Sequence, residues 1–167
     1  MAALRDLLGN PAFYLLLVFF YAILVAIILP IPIEFALIWP LMDGHVAFFA
    51  AVVLAMALGK GIGAVMVLYL GIKVEKTVYF WAGKFKLFGK IAHYLSIFVE
   101  KAGYVGLYII LSIPLMTDTI PIYLYSLFHP QGKAPTTLFF GLSNFLAGVN
   151  RGVIIAVLFA AFGVVLA

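Results

Sequence analysis

Three apolar runs dominate the chain. Phe13–Leu29 is unbroken, Val46–Ile72 is interrupted only by Gly59-Lys60-Gly61-Ile62-Gly63, and Leu138–Leu166 only by Asn144, Asn150 and Arg151. A helix that crosses a bilayer needs roughly 20 apolar residues, so each run predicts a membrane-spanning helix. Between them, prolines cut the apolar sequence short. Pro30-Ile31-Pro32-Ile33-Glu34 precedes the brief run Phe35–Pro40, and Tyr104–Ile113 is followed by Pro114-Leu115-Met116-Thr117-Asp118-Thr119-Ile120-Pro121 and then Ile122–Phe128. Pieces this short cannot cross, and broken backbone at membrane depth is tolerated only where protein or water satisfies it. Two helical hairpins are therefore expected at Pro30–Pro40 and Pro114–His129, with Pro30, Pro32, Pro114 and Pro121 at their breaks.

The segment Lys73–Lys101 differs in character and holds six of the eight lysines. At helical spacing, Lys86, Lys90, His93 and Glu100 share one face, while Phe85, Phe88, Ala92, Leu95 and Val99 share the other. That separation predicts an amphipathic helix in the headgroup region or over the end of the bundle. The lysines place it on the cytoplasmic side.

The pattern repeats. Each half has a proline-broken hairpin followed by a long helix with glycines and one base, and Pro32–Pro40 echoes Pro121–Pro130 in layout. Paired interrupted segments of this kind mark transporters built as inverted repeats. The expected fold is an all-α integral membrane protein, an inverted repeat with two opposed re-entrant helical hairpins and an interfacial amphipathic helix. It forms one membrane domain over 1–167: repeat 1 at about 11–72, the amphipathic segment at 73–102 and repeat 2 at about 103–167.

Composition supports this picture. Hydrophobic residues make up 67% of the chain, charged residues 10%, and mean hydropathy is +1.26. Soluble domains carry roughly 25% charged residues, so this chain could not cover its apolar surface in water. No room remains for a soluble catalytic domain. Without cysteine, disulfides and Cys-ligated metal sites are excluded. Phe13–Leu29 reads as a retained helix because no small-residue cleavage site follows it.

Four ionisable residues lie within otherwise apolar segments: Glu34, Lys60, Asp118 and Arg151. An ion at the bilayer centre costs about 2.5–3.5 kcal/mol on insertion scales, so each needs a partner or water. One acid per hairpin and one base per following helix could form two neutral pairs. Such pairs are either structural pins or the walls of a polar path. Asn144 and Asn150 would join the strip or bond helices together. Gly59, Gly61 and Gly63 lack the strand a nucleotide loop requires, so close helix packing is expected there and at Gly148 and Gly152, with space beside Lys60 and Arg151 for a ligand. His45, His93 and His129 are too scattered for a metal site, and no catalytic constellation emerges.

Ile28-Leu29-Pro30-Ile31-Pro32-Ile33-Glu34, Leu58-Gly59-Lys60-Gly61-Ile62-Gly63, Phe98–Gly103 leading to Ser112-Ile113-Pro114, and Asn144-Phe145-Leu146-Ala147-Gly148 occur in that order. In these motifs the chain resembles the DedA family, also called the VTT or SNARE-associated Golgi protein family, from about Phe13 to the end. It departs at two positions: the family usually has an aspartate at the place of Lys60 and an arginine in the second hairpin, where Thr117-Asp118 stands here. The resemblance implies lipid translocation. Bacterial members are implicated in polyprenyl-phosphate recycling and proton-dependent membrane homeostasis, eukaryotic members in phospholipid scrambling, and the related small multidrug export proteins share the layout.

The expected function is thus a transporter, not an enzyme, that moves a lipid or lipid phosphate between leaflets, with proton coupling open. Lys60 and Arg151 would attract phosphate, and Glu34 and Asp118 would gate. The alternatives are a proton-coupled exporter of small cations or drugs and a non-transporting structural subunit. Expected partners are membrane lipids, with a homo-oligomer open. No cofactor, metal or nucleic acid is expected, and the expected location is a prokaryotic plasma membrane. The orientation is testable: cysteines placed at Lys84 and Lys90 should resist an impermeant thiol reagent in intact cells, and labelling from outside would reverse the topology.

Overall fold

The computed structural model describes residues 10–28, 31–42, 44–84, 86–128 and 137–163, and among these it is all helical. The six helices are α1 (Pro11–Ile27), α2 (Phe35–Met42), α3 (Val46–Lys84), α4 (Lys86–Ser112), α5 (Thr119–Leu127) and α6 (Thr137–Gly163). Two windows are long and apolar enough to cross a membrane, Val46–Gly71 in α3 and Thr137–Phe162 in α6.

Local chemistry sets several boundaries. Asn10 caps α1 by accepting from the Ala12 N–H at 3.0 Å, and Pro11 fills the first helical position, where no N–H is needed. Pro40 lies inside α2 and cannot bond the carbonyl of Ala36 four residues earlier. The Tyr14 hydroxyl donates to that carbonyl at 2.6 Å instead, and Trp39 packs edge-on against the Tyr14 ring. The proline break is thus repaired from α1. Pro121 falls in the first turn of α5, where its missing N–H costs little.

α3 is the axis of the fold, with α1 packed on it in parallel and α6 antiparallel. Small residues permit this. A Cβ added at Gly59 would collide with the Phe19 carbonyl, and one at Gly63 would lie 2.7 Å from the Ala26 Cβ. On the α6 side, a Cβ on Gly148 would sit 3.0 Å from the Ala57 Cα, and one on Gly152 2.6 Å from Val53. The expected close packing is therefore present at these glycines. The backbones and small side chains of neighbouring helices fill the places that Cβ atoms at Gly59, Gly63, Gly148 and Gly152 would take.

The first hairpin is larger than the sequence reading drew it. Tyr14 near the start of α1 and Trp39 in α2 both contact Phe48 at the start of α3, so α1 and the return leg 31–42 open toward the same end of α3. α1 is one limb of that hairpin, and α2 runs two residues past Pro40 to Met42. The second hairpin descends through the part of α4 after Gly103, turns at 113–118 and rises through α5. It opens toward the other end of α3, where a Cβ on Gly71 would lie 2.6 Å from that of Ser126. The two tips interlock: the Thr119 and Tyr123 hydroxyls donate to the carbonyls of Val25 and Ile27 in the last turn of α1, at 2.9 and 3.0 Å. Those carbonyls are among the ones a helix end leaves free.

The lysine-rich segment is not one helix. Helix α3 continues without interruption through Gly59–Gly63 to Lys84, and α4 starts at Lys86, so the segment is divided between two helices. The α3 ladder continues beyond Ile72 to Lys84, whereas α4 is interrupted at Gly103, whose φ of 53° leaves the helical region. The expected two faces rest largely on side chains 85–92 and 95, outside the described ones. Of the rest, Val99 is buried and His93 and Glu100 are exposed. Pro30 and His129 lie outside the described residues, as does Asp43.

Two apolar clusters form the core. One gathers Val18, Ile33, Leu37, Val52 and Met56; the other gathers Ala64, Leu68, Leu107, Ile122 and Phe140. Lys60 separates them along α3 and Arg151 along α6. Replacing Gly59 or Gly63 by Val should destabilise the fold by at least about 1–3 kcal/mol, the usual cost of overpacking. Thermal melting in detergent checks this, and wild-type melting of both variants would refute the packing.

Candidate functional site

Between the two apolar clusters lies a chain of four charges. Glu34, on the return leg of the first hairpin, lies 2.8 Å from Arg151 Nη1 on α6. Arg151 Nη2 lies 3.1 Å from Oδ1 of Asp118, at the start of α5. Asp118 in turn accepts from Lys60 Nζ on α3 at 3.1 Å through Oδ1, with Oδ2 at 3.0 Å. The order is Glu34–Arg151–Asp118–Lys60. Lys60 and Arg151 are fully buried, the Asp118 side chain is 1% exposed and that of Glu34 7%.

The expected two pairs are thus one network, and its two outer connections run across the halves. The first hairpin's acid meets the second half's base, and the second hairpin's acid meets the first half's base. Glu34 contacts Arg151; the described ion pairs join Lys60 to Asp118 and not to Glu34. The inner members, Arg151 and Asp118, each face two opposite charges, and the four sum to zero. Such closure is what a low-dielectric setting demands, because an unpaired ion there is costly.

Backbone groups of the second hairpin complete the site. The Leu115 N–H donates to Glu34 Oε1 at 3.1 Å, and Arg151 Nη1 donates to the Met116 carbonyl at 3.2 Å. Leu115 adopts φ 62°, a left-handed conformation that a leucine rarely takes. Sequence reasoning missed these backbone contacts because the residue types of Leu115 and Met116 say nothing of where their amide groups point. It also missed Thr119 and Tyr123, whose only signal was a hydroxyl within an apolar helix.

The asparagines do not join the ion network directly. Asn144 is buried and donates to the Phe140 carbonyl one turn back, at 2.8 Å. Asn150 is half-buried. Pro32 and Pro114 lie in the turns that precede α2 and α5, and Pro121 in the first turn of α5. Among the described residues, Glu34 Oε2, Arg151 Nε, Asn144 Oδ1 and the Tyr125 hydroxyl are buried without a hydrogen-bond partner. No group of three or more His, Cys, Asp or Glu able to hold a metal occurs among the described residues.

Away from the network, α3 and α6 enclose an apolar surface groove of 540 Å³, floored by Gly61 and Gly141 and flanked by Leu58, Met66, Leu138 and Phe145. Comparison with protein-family models, with curated proteins and with solved structures finds no match.

The network's connectivity sets an order of mutational cost. Arg151→Met and Asp118→Asn each strip two charged partners and should cost about 3–5 kcal/mol or more, whereas Glu34→Gln and Lys60→Met should cost less. The double variant Glu34→Gln/Arg151→Met should melt above Arg151→Met alone. Equal melting temperatures for all four single variants would argue against the network.

Proposed function

We propose that this protein is a multi-pass membrane transporter that moves lipids carrying a phosphate between leaflets, with the four-charge network as its gate. The observation that carries this reading is the meeting of two hairpin tips, from opposite ends of the fold, at a buried network of two acids and two bases. Intramembrane ions are rare and mark transport paths by default, and broken helices meeting at mid-depth are the usual place for them.

Three further features support it. Only 22% of the α6 window is buried, and its outer side presents Leu142, Leu146, Val153, Val157 and Phe162. An apolar surface of that extent calls for lipid around it. α2 and α5, with 8 and 9 residues, are about 12–14 Å long, well short of a hydrocarbon core of roughly 30 Å. The hairpins they belong to then serve as re-entrant elements of an inverted repeat in a cell membrane. Finally, Lys60 and Asp118, where the chain departs from the DedA pattern, are partners. An exchange of sign between helix and hairpin keeps a pair, in line with the resemblance.

One observation favours a second reading, a structural membrane subunit: all four ions are shut away from solvent. Liposome assays separate the two. Purified protein should move fluorescent phospholipid or polyprenyl phosphate across vesicles, and Glu34→Gln should reduce the rate at least about tenfold while remaining folded. Transport at the wild-type rate by a well-folded Glu34→Gln variant would refute the gate. No transport of either lipid by the wild type would favour the structural reading.

A further inference from the structure

Within the network, Glu34 differs from the other three members. It is the least buried of the four, with its side chain 7% exposed, and it stands in the turn just before α2. Only one of its oxygens is used: Oε1 takes both the Arg151 contact at 2.8 Å and the Leu115 N–H at 3.1 Å, while Oε2 has no hydrogen bond. Arg151, fully buried, keeps its Nε–H without a partner beside this contact. A planar guanidinium and a backbone N–H aimed at one point make an anion site, and here a carboxylate of the chain itself fills it.

Charge balance sets what else could fill it. Without Glu34, Lys60 and Arg151 face Asp118 alone, so two cations against one acid leave a single positive charge. One negative charge from outside would restore neutrality. The surroundings point to its source. Ile31 and Phe35 beside Glu34, and Ile113 and Leu115 on the facing tip, are all exposed apolar side chains. They would border acyl chains while the headgroup turned inward.

We propose that Glu34 is an internal occupant of an anion site built from the Arg151 guanidinium and the Leu115 N–H, and that a singly charged lipid phosphate takes this site when Glu34 swings out. This rests on the transport reading above and adds to it where the headgroup binds and what it must displace. Lys60 and Asp118 stay paired throughout. The positively strained Leu115 φ is held by the contact that the exchange would preserve, since phosphate accepts the same N–H. Glu34 therefore lowers apparent affinity by the fraction of time it occupies the site.

The test is calorimetric titration of the purified full-length protein in uncharged detergent with dihexanoyl phosphatidylglycerol and, separately, with inorganic phosphate. Glu34→Ala and the isosteric Glu34→Gln should each bind the short-chain lipid at least about tenfold more tightly than wild type, at one site per chain. Adding Arg151→Lys to Glu34→Ala should remove that gain, because a lysine lacks the guanidinium fork. A gain for the lipid alone supports a headgroup ligand. A comparable gain for inorganic phosphate supports the anion site but assigns it to phosphate irrespective of the lipid. Folded Glu34 variants that bind both probes no more tightly than wild type would overturn the proposal, even if they have lost transport. Should neither variant fold, leucine-labelled wild type decides: saturating phosphatidylglycerol must shift the Leu115 amide resonance, and an unmoved resonance overturns the proposal.

Discussion

The contact between Asp118 and two buried cations governs this fold. Lys60 and Arg151 project from the two long helices that pack antiparallel, and neither could remain charged between apolar clusters without a shared acid. Asp118 supplies it from the tip of the second hairpin, and Glu34 completes neutrality from the first. Remove any one member and a charge is left in a region where desolvation costs several kcal/mol. The hairpins are therefore held by electrostatics at their tips and by apolar packing along their limbs.

That division of labour explains the rest of the architecture. Glycines at the contact of α3 with α6 bring the two helices close enough for a lysine and an arginine to reach the same carboxylate. Gly148 is the clearest case, since a Cβ there would lie 3.5 Å from the Lys60 Cδ, directly against the stem that carries the charge. The hydroxyls of Thr119 and Tyr123 satisfy the end of α1, so one hairpin terminates the other. Tyr14 does the same service for the carbonyl freed by Pro40. The carbonyls freed at Pro40 and at the end of α1 are thus satisfied by side chains from neighbouring elements.

A network with zero net charge whose least buried member is Glu34, at one end, is suited to exchange. Lys60 and Arg151 are carried within long helices, whereas Glu34 and Asp118 stand in the turns before α2 and α5, and of the two acids Glu34 is the one with a single ion-pair partner. The groups it leaves behind, a guanidinium and a backbone N–H, favour phosphate as readily as carboxylate. In the proposed cycle the substrate thus substitutes for a part of the protein, and the network need not open to bare ions.

The sequence by itself determined the class of element and the inventory of charges. Long runs such as Val46–Ile72 and Leu138–Leu166 can only be apolar helices, and proline clusters at Pro30-Ile31-Pro32 and Pro114–Pro121 break helices through their missing N–H and fixed φ. Glu34, Lys60, Asp118 and Arg151 stood out because charge within an apolar run is expensive. The fate of Lys73–Lys101 was not legible, because helix continuation past Ile72 depends on packing and backbone geometry that amphipathic spacing does not specify. Nor was the role of α1 as a hairpin limb, which follows from its parallel packing on α3. Above all, only the tertiary structure decided which ions meet. Glu34 and Arg151 are separated by more than a hundred residues, and their distance is fixed by helix approach at glycines and by the interlocked tips, neither of which leaves a local signature in the chain.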